Sequence, residues 1–322
     1  MAPAKKDDSG TASPADAGPA RALGDHGHAT WRAVSLLLAV GLLVSSIIAL
    51  AKLATASGVP PLALSFWQCL GGGFLLLLLT LVRARGFALD GRHLRYYAIA
   101  GLTGFALPHT LVFFAVTPLG AGLASVAYAF PPLFTYALTL LLRMDRLVWH
   151  RALGILLGLA GVLLILLPRG SLPSPDLIGW MLVVMAAPLS LALGNVYRTL
   201  DWPGGASGGA LAAGMMLGSA VLVAPVMLLV DGPYLPQPLA QPGHWAVVVQ
   251  AVVTGLTYLL FFELQRIAGP VYLSQIGYVI TATGLIAGMV FFGERYSLWV
   301  WIAVALIFLG IALNNLRRRR ES

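Results

Sequence analysis

Charge is what this chain has least of. Only 10% of its 322 residues are Asp, Glu, Lys or Arg, against 59% hydrophobic. A soluble domain carries roughly 25% charged and 45–50% apolar residues. So few charges cannot cover a water-facing surface of this size, which excludes a soluble globular protein. Carboxylates are the scarcer sign, 12 against 20 Lys and Arg, and none falls at the centre of an apolar stretch. That argues against a proton relay of intramembrane carboxylates. Cysteine is nearly absent. The single Cys69 lies inside an apolar stretch, so the chain has no internal disulfide and no zinc-ligand spacing; it reads as a small buried side chain. Catalytic signatures are missing as well. There is no H-E-x-x-H, no G-x-S-x-G, no pair of intramembrane aspartates and no phosphate-binding loop. Neither a membrane-embedded enzyme nor an ATP-driven pump is indicated, and no cofactor or metal is expected. No row of charged ligands marks a channel filter.

What the chain has instead is apolar blocks about 20 residues long, the length that crosses a hydrocarbon core roughly 30 Å thick. Ten such segments lie near 33–55, 61–82, 96–116, 119–141, 151–168, 178–198, 208–230, 244–264, 270–292 and 297–316. Turn chemistry separates them at Gly58–Pro61, Thr117–Gly120 and Gly269–Pro270. Residues 1–30, rich in Ala, Pro, Gly, Ser and Asp, are expected to be a disordered tail, and they lack the layout of a signal peptide. The net charge of +8 does not indicate nucleic acid, because the basic residues stand in short clusters between the apolar blocks. With the N-terminus in the cytoplasm, only Lys52, Arg169 and Arg295 of the 20 Lys and Arg face outward. The positive-inside rule therefore predicts two cytoplasmic termini in a cell membrane, with anionic lipid against the basic loops.

A shift of about 149 residues carries Gly120 to Gly269, Ser125 to Ser274, Asp145 to Glu294, Arg146 to Arg295 and Gly161 to Gly310. The chain thus reads as an all-α membrane protein of ten transmembrane helices in two five-helix repeats, 31–168 and 169–322. An odd number of helices per repeat inverts the second copy, and inverted repeats place a substrate site at their interface near the midplane.

Polar groups inside the segments are few, and each needs a reason. His109 follows Pro108 in the third segment, and the shift pairs it with Tyr258 in the eighth. A His there suits a cavity wall and can carry a proton near neutral pH; the structural alternative is a neutral ring bonded to a neighbouring helix. Ser125 and Tyr128 share a face three residues apart, as do Gln275 and Tyr278, with Ser274 beside them. These groups suit a small solute with apolar and polar parts, or hydrogen bonding between helices. Asn195 is placed at the inner vestibule, and Arg198 reads as an orientation charge. Lys52 reads as snorkelling to the interface, Glu263 and Arg266 as a local ion pair, and Glu294–Arg295 and Asp145–Arg146 as structural, either caps of turns between helices or partners of basic neighbours.

The second half, with its Gly269–Pro270 turn, Ser274–Gln275, Tyr278, the FGER element at Phe292–Arg295 and a final Gly-bearing helix before the basic run Arg317–Arg320, resembles the EamA-type drug/metabolite transporter superfamily. In the first half, LGAGLASVAYAFPP at Leu119–Pro132 holds the corresponding place. The resemblance implies secondary transport of amino acids, their derivatives or other small metabolites, usually outward, across a bacterial inner membrane. Similar proteins often carry an Arg in the second helix where this chain has Phe66–Trp67–Gln68, so Gln68 joins the expected substrate contacts. A sugar- or nucleotide-like cargo on the same fold stays open.

Overall fold

The computed structural model describes residues 19–83, 86–144, 147–149, 177–237 and 241–315, with scattered positions between 153 and 164. The Asp145–Arg146 pair, most of the fifth apolar segment and the Arg317–Arg320 run lie outside the described residues. In hydrocarbon a backbone must satisfy its own hydrogen bonds, which leaves an apolar segment the helix. Every regular element among the described residues is helical. They are α1 (Pro19–Ala56), α2 (Pro61–Val82), α3 (Gly91–Gly101), α4 (Leu107–Val126), α5 (Pro131–Leu141), α6 (Leu177–Leu200), α7 (Gly208–Val230), α8 (Trp245–Ser274), α9 (Ile276–Phe292) and α10 (Leu298–Asn315). The backbone of α1 is helical from Pro19, within the stretch expected to be a disordered tail. A Pro at the first helical position, followed by Ala-Arg-Ala-Leu, favours that early start.

Seven helical stretches among the described residues are long and apolar enough to cross a membrane. One of them, Gly91–Leu141, has 51 residues; at about 1.5 Å per residue it would reach ~75 Å, over twice the hydrocarbon thickness. It is broken at Gly120, whose φ of 83° and ψ of 165° are not helical. The same break occurs in α8 at Gly269, with φ 76° and ψ 177°. Two glycines matched by the sequence shift thus adopt one conformation, in a region that is essentially Gly-only.

Helices from the two sequence halves interleave. α1 packs on α8 and α9, α2 on α7 and α8, and α4 on α6 and α9. The outside is apolar: Phe74, Val82, Leu229 and Phe291 are among the exposed side chains, as a lipid-facing surface requires. Inside, a π segment (Leu102–Ala106) joins α3 to α4, and neighbouring side chains satisfy carbonyls along it. Ser219 Oγ donates to Gly101 O (3.0 Å) and Ser190 Oγ to Thr103 O (2.7 Å). Irregular helix of this kind is tolerated at membrane depth only where protein surrounds it.

Candidate functional site

Just beyond the π segment, His109 stands in the first turn of α4. Its Nδ1 lies 2.9 Å from Phe105 O. A carbonyl only accepts, so Nδ1 carries the proton and Nε2 presents a bare lone pair. That Nε2 is buried and has no hydrogen-bond partner among the described residues. The ring stacks on Phe105 at 4.2 Å between centroids and lies 6.2 Å from the ring of Tyr258.

His109 and Tyr258 line one small cavity, of about 40 Å³. Tyr128, Asn195 and Ser274 line it as well, beside Phe261, Leu191, Val44 and Gly277. Tyr258 stacks on Phe261 at 5.1 Å and meets Phe105 edge-on at 4.8 Å. The walls come from both sequence halves. Tyr128 lies in the 3-10 turn Ala127–Ala129 that follows α4.

Five of the nine sequence-expected contacts therefore meet: His109, Tyr128, Tyr258, Ser274 and Asn195. The other four lie elsewhere. Ser125 Oγ donates to Gly122 O (2.6 Å) beneath α9, where Thr281 Oγ1 donates to Ser125 O (3.0 Å). Gln68 is buried between α2 and α8, its Nε2 donating to Thr254 Oγ1 at 2.8 Å. Gln275 occupies the junction of α8 and α9, and Tyr278 packs 6.0 Å from Phe308.

Arg198 differs most from its sequence reading. It is the largest fully buried side chain, at 0% exposure, and not a charge at the membrane surface. Its NH2 group donates to Asn195 Oδ1 (2.6 Å) and its Nε to Gln265 Oε1 (3.0 Å), and its Cζ lies 5.2 Å from the centre of the Phe261 ring. No carboxylate is among its partners in the described residues. The next acid along α6, Asp201, is taken by Arg95 (2.9 Å) and by the Tyr197 hydroxyl (2.7 Å). Those hydrogen bonds, Tyr197's foremost, hold its carboxyl below the usual range. Arg198 and Gln265 are what sequence reasoning missed; the one available signal was Asn195 three residues before an Arg.

Several other charges pair off away from the cavity. Arg266 and Arg32 both bond Glu263, at 2.9 and 2.6 Å. Lys52, which stands over the Phe292 ring, pairs with Glu294. The Glu294 carboxylate also accepts the Tyr296 hydroxyl and the backbone N–H groups of Ala121 (2.8 Å) and Gly122 (3.0 Å). It thus caps the helix that restarts after Gly120, an anion at a positive helix end. Burial pushes its carboxyl up, but Lys52, Tyr296 and the two N–H groups outweigh that and leave it below the ordinary value of 4.5. A depressed carboxyl adds stability above the unfolded pKa and loses it as pH falls through the folded one. Thermal stability in detergent is therefore expected to fall below about pH 4.5, and Glu294→Gln is expected to abolish that part of the pH dependence. At neutral pH the same substitution is expected to cost about 2 kcal/mol, between an exposed and a buried pair. An unchanged pH profile of melting in Glu294→Gln would remove the clamp from the account.

Comparison with known proteins gives three findings. A model of the EamA-like transporter family matches twice, over residues 31–167 and 178–316. The uncharacterized transporter YvbV of Bacillus subtilis (strain 168) is 24% identical over 81% of this chain and 85% of its own. The uncharacterized transporter YxxF of the same organism is 34% identical, over only 25% of this chain and 26% of its own length. A solved crystal structure superimposes with a TM-score of 0.60 at 25% identity, covering 92% of this chain and 98% of that one.

Proposed function

The chain belongs to the EamA-like transporter family and is a multi-pass membrane protein, and from that premise we propose that it exports small metabolites such as amino acids or their derivatives by alternating access around the cavity of His109, Tyr128, Tyr258, Ser274 and Asn195. In this reading ten helices form two inverted five-helix repeats, 31–168 and 169–322, with both termini cytoplasmic. The Lys and Arg asymmetry supports the orientation, and the fifth crossing is the segment 151–168. The observation that carries the reading is the meeting of His109 and Tyr258. The sequence shift relates them, one from each half, and their rings lie 6.2 Å apart in one cavity wall. Repeat-related residues meet only near the axis that relates the repeats, which is where such transporters bind cargo. The outward direction follows the family resemblance.

Purified protein in proteoliposomes is expected to give saturable counterflow of at least one labelled amino acid or related metabolite. His109→Ala is expected to lower that flux at least tenfold, the typical loss for removing a buried polar contact to ligand. Absence of saturable flux across a broad panel would end the transport reading. A pH dependence of flux that persists unaltered in His109→Ala would exclude His109 as a proton carrier.

A further inference from the structure

A guanidinium stays charged at any physiological pH, and a buried charge without a counter-ion is costly. Arg198 is in that position. Two of its nitrogens are bonded to neutral amides, Asn195 and Gln265. The third, NH1, has among the described residues only the Met215 sulfur at 4.0 Å, a weak acceptor. The carbonyl end of α6 and the face of Phe261 temper the charge without neutralising it. Asn195 and Phe261, which touch Arg198, are themselves cavity wall. Asp201, three residues along the chain, is committed to Arg95 and Tyr197. The protein holds a fixed positive charge one side chain behind a cavity lined by Tyr128, Tyr258, Phe261 and aliphatic side chains, and among the described residues no carboxylate lines that cavity.

We propose that Arg198 is the anion-binding residue of this cavity and that the cargo is a small organic carboxylate with an apolar body. The inference rests on the cavity being the substrate site. The carboxylate replaces the neutral amides as partner of the guanidinium, in the bidentate geometry the pair favours. Tyr258 and Phe261 pack the apolar body, and the bare Nε2 of His109 accepts a hydrogen bond from a donor on the same molecule. A cationic cargo finds no counter-charge among the described residues of this cavity.

The test uses the full chain in detergent without anionic lipid, and three probes that differ only in head group: 3-phenylpropionate, 3-phenylpropionamide and 3-phenylpropylamine. The carboxylate is expected to bind at least tenfold tighter than the amide and amine, as a charge-assisted pair requires. Arg198→Gln is expected to erase that preference, and Arg198→Lys to restore part of it. Should Arg198→Gln fail to fold, the head-group order in the unaltered protein still decides. Equal or tighter amine binding, or no binding by any probe, overturns the proposal, as does an order preserved in folded Arg198→Gln. Phosphatidylglycerol that binds where 3-phenylpropionate does not would make Arg198 a lipid head-group site and also overturn it. Flux separates the two readings. Carboxylate binding without saturable transport upholds the anion site and removes the transporter reading; saturable transport of the amine alone does the reverse.

Discussion

Gly277→Ala is expected to destabilise the protein by roughly 3 kcal/mol, the upper end of the cost of overpacking. A Cβ at position 277 would overlap the backbone carbonyl of Tyr128. Backbone cannot swing aside as a side-chain tip can, so α9 and the Tyr128 turn must separate. That separation also strains the bond from Thr281 Oγ1 to Ser125 O. Tyr128 and Gly277 both line the cavity, so flux is expected to fall with stability. Gly179→Ala in α6 is the matched control. Its added Cβ meets nothing within 4 Å, and the helix propensity of Ala makes it neutral or stabilising by up to ~1 kcal/mol. Thermal unfolding in detergent compares the two. Equal melting temperatures would mean that α9 does not sit as closely on α4 as described.

The second large effect is an asymmetry between the two repeat-related breaks. Gly120→Ala and Gly269→Ala both force Ala into a region essentially closed to it, at a cost of about 1–3 kcal/mol each. At Gly269 nothing lies within 4 Å of the added carbon, so strain is the whole effect. At Gly120 the added carbon would meet Glu294 Oε1 at 2.6 Å and its Cδ at 2.7 Å. The carboxylate would have to leave Lys52 and the Ala121 and Gly122 N–H groups. Gly120→Ala is therefore expected to cost ~1–2 kcal/mol more than Gly269→Ala, about the worth of a charge-assisted hydrogen bond. A double-mutant cycle with Glu294→Ala should recover that difference as coupling. Equal costs, or no coupling, would mean that the clamp is not formed.

The repeat was the most legible feature of the sequence, because it is carried by residues whose chemistry is rare. Gly120 and Gly269 stand out as turn glycines, and His109 with Tyr258 as polar residues in apolar surroundings. What escaped reading depends on packing between distant segments. Whether an Arg at a helix end snorkels or is buried turns on what covers it, and Gln265, Met215 and Phe261 cover Arg198 from two other helices. Lys52 reads as snorkelling until Glu294, 242 residues away, is seen beside it. The expected faces of Ser125 with Tyr128, and of Gln275 with Tyr278, assumed regular helix. A 3-10 turn at Ala127–Ala129 and a junction at Gln275 interrupt it. One member of the first pair lines the cavity and neither of the second does. The FGER element acts through Glu294 as a helix cap, consistent with a structural role.

If solute passes through the cavity between the two halves, the thiol chemistry of one cavity residue reports it directly. In a Cys69→Ala background, Asn195→Cys places the chain's single thiol in the cavity wall. Saturable flux in proteoliposomes is expected to stop when that thiol is alkylated by a small maleimide, and an excess of transported solute is expected to slow the alkylation. Full flux through the alkylated protein, or alkylation indifferent to solute, would contradict the account.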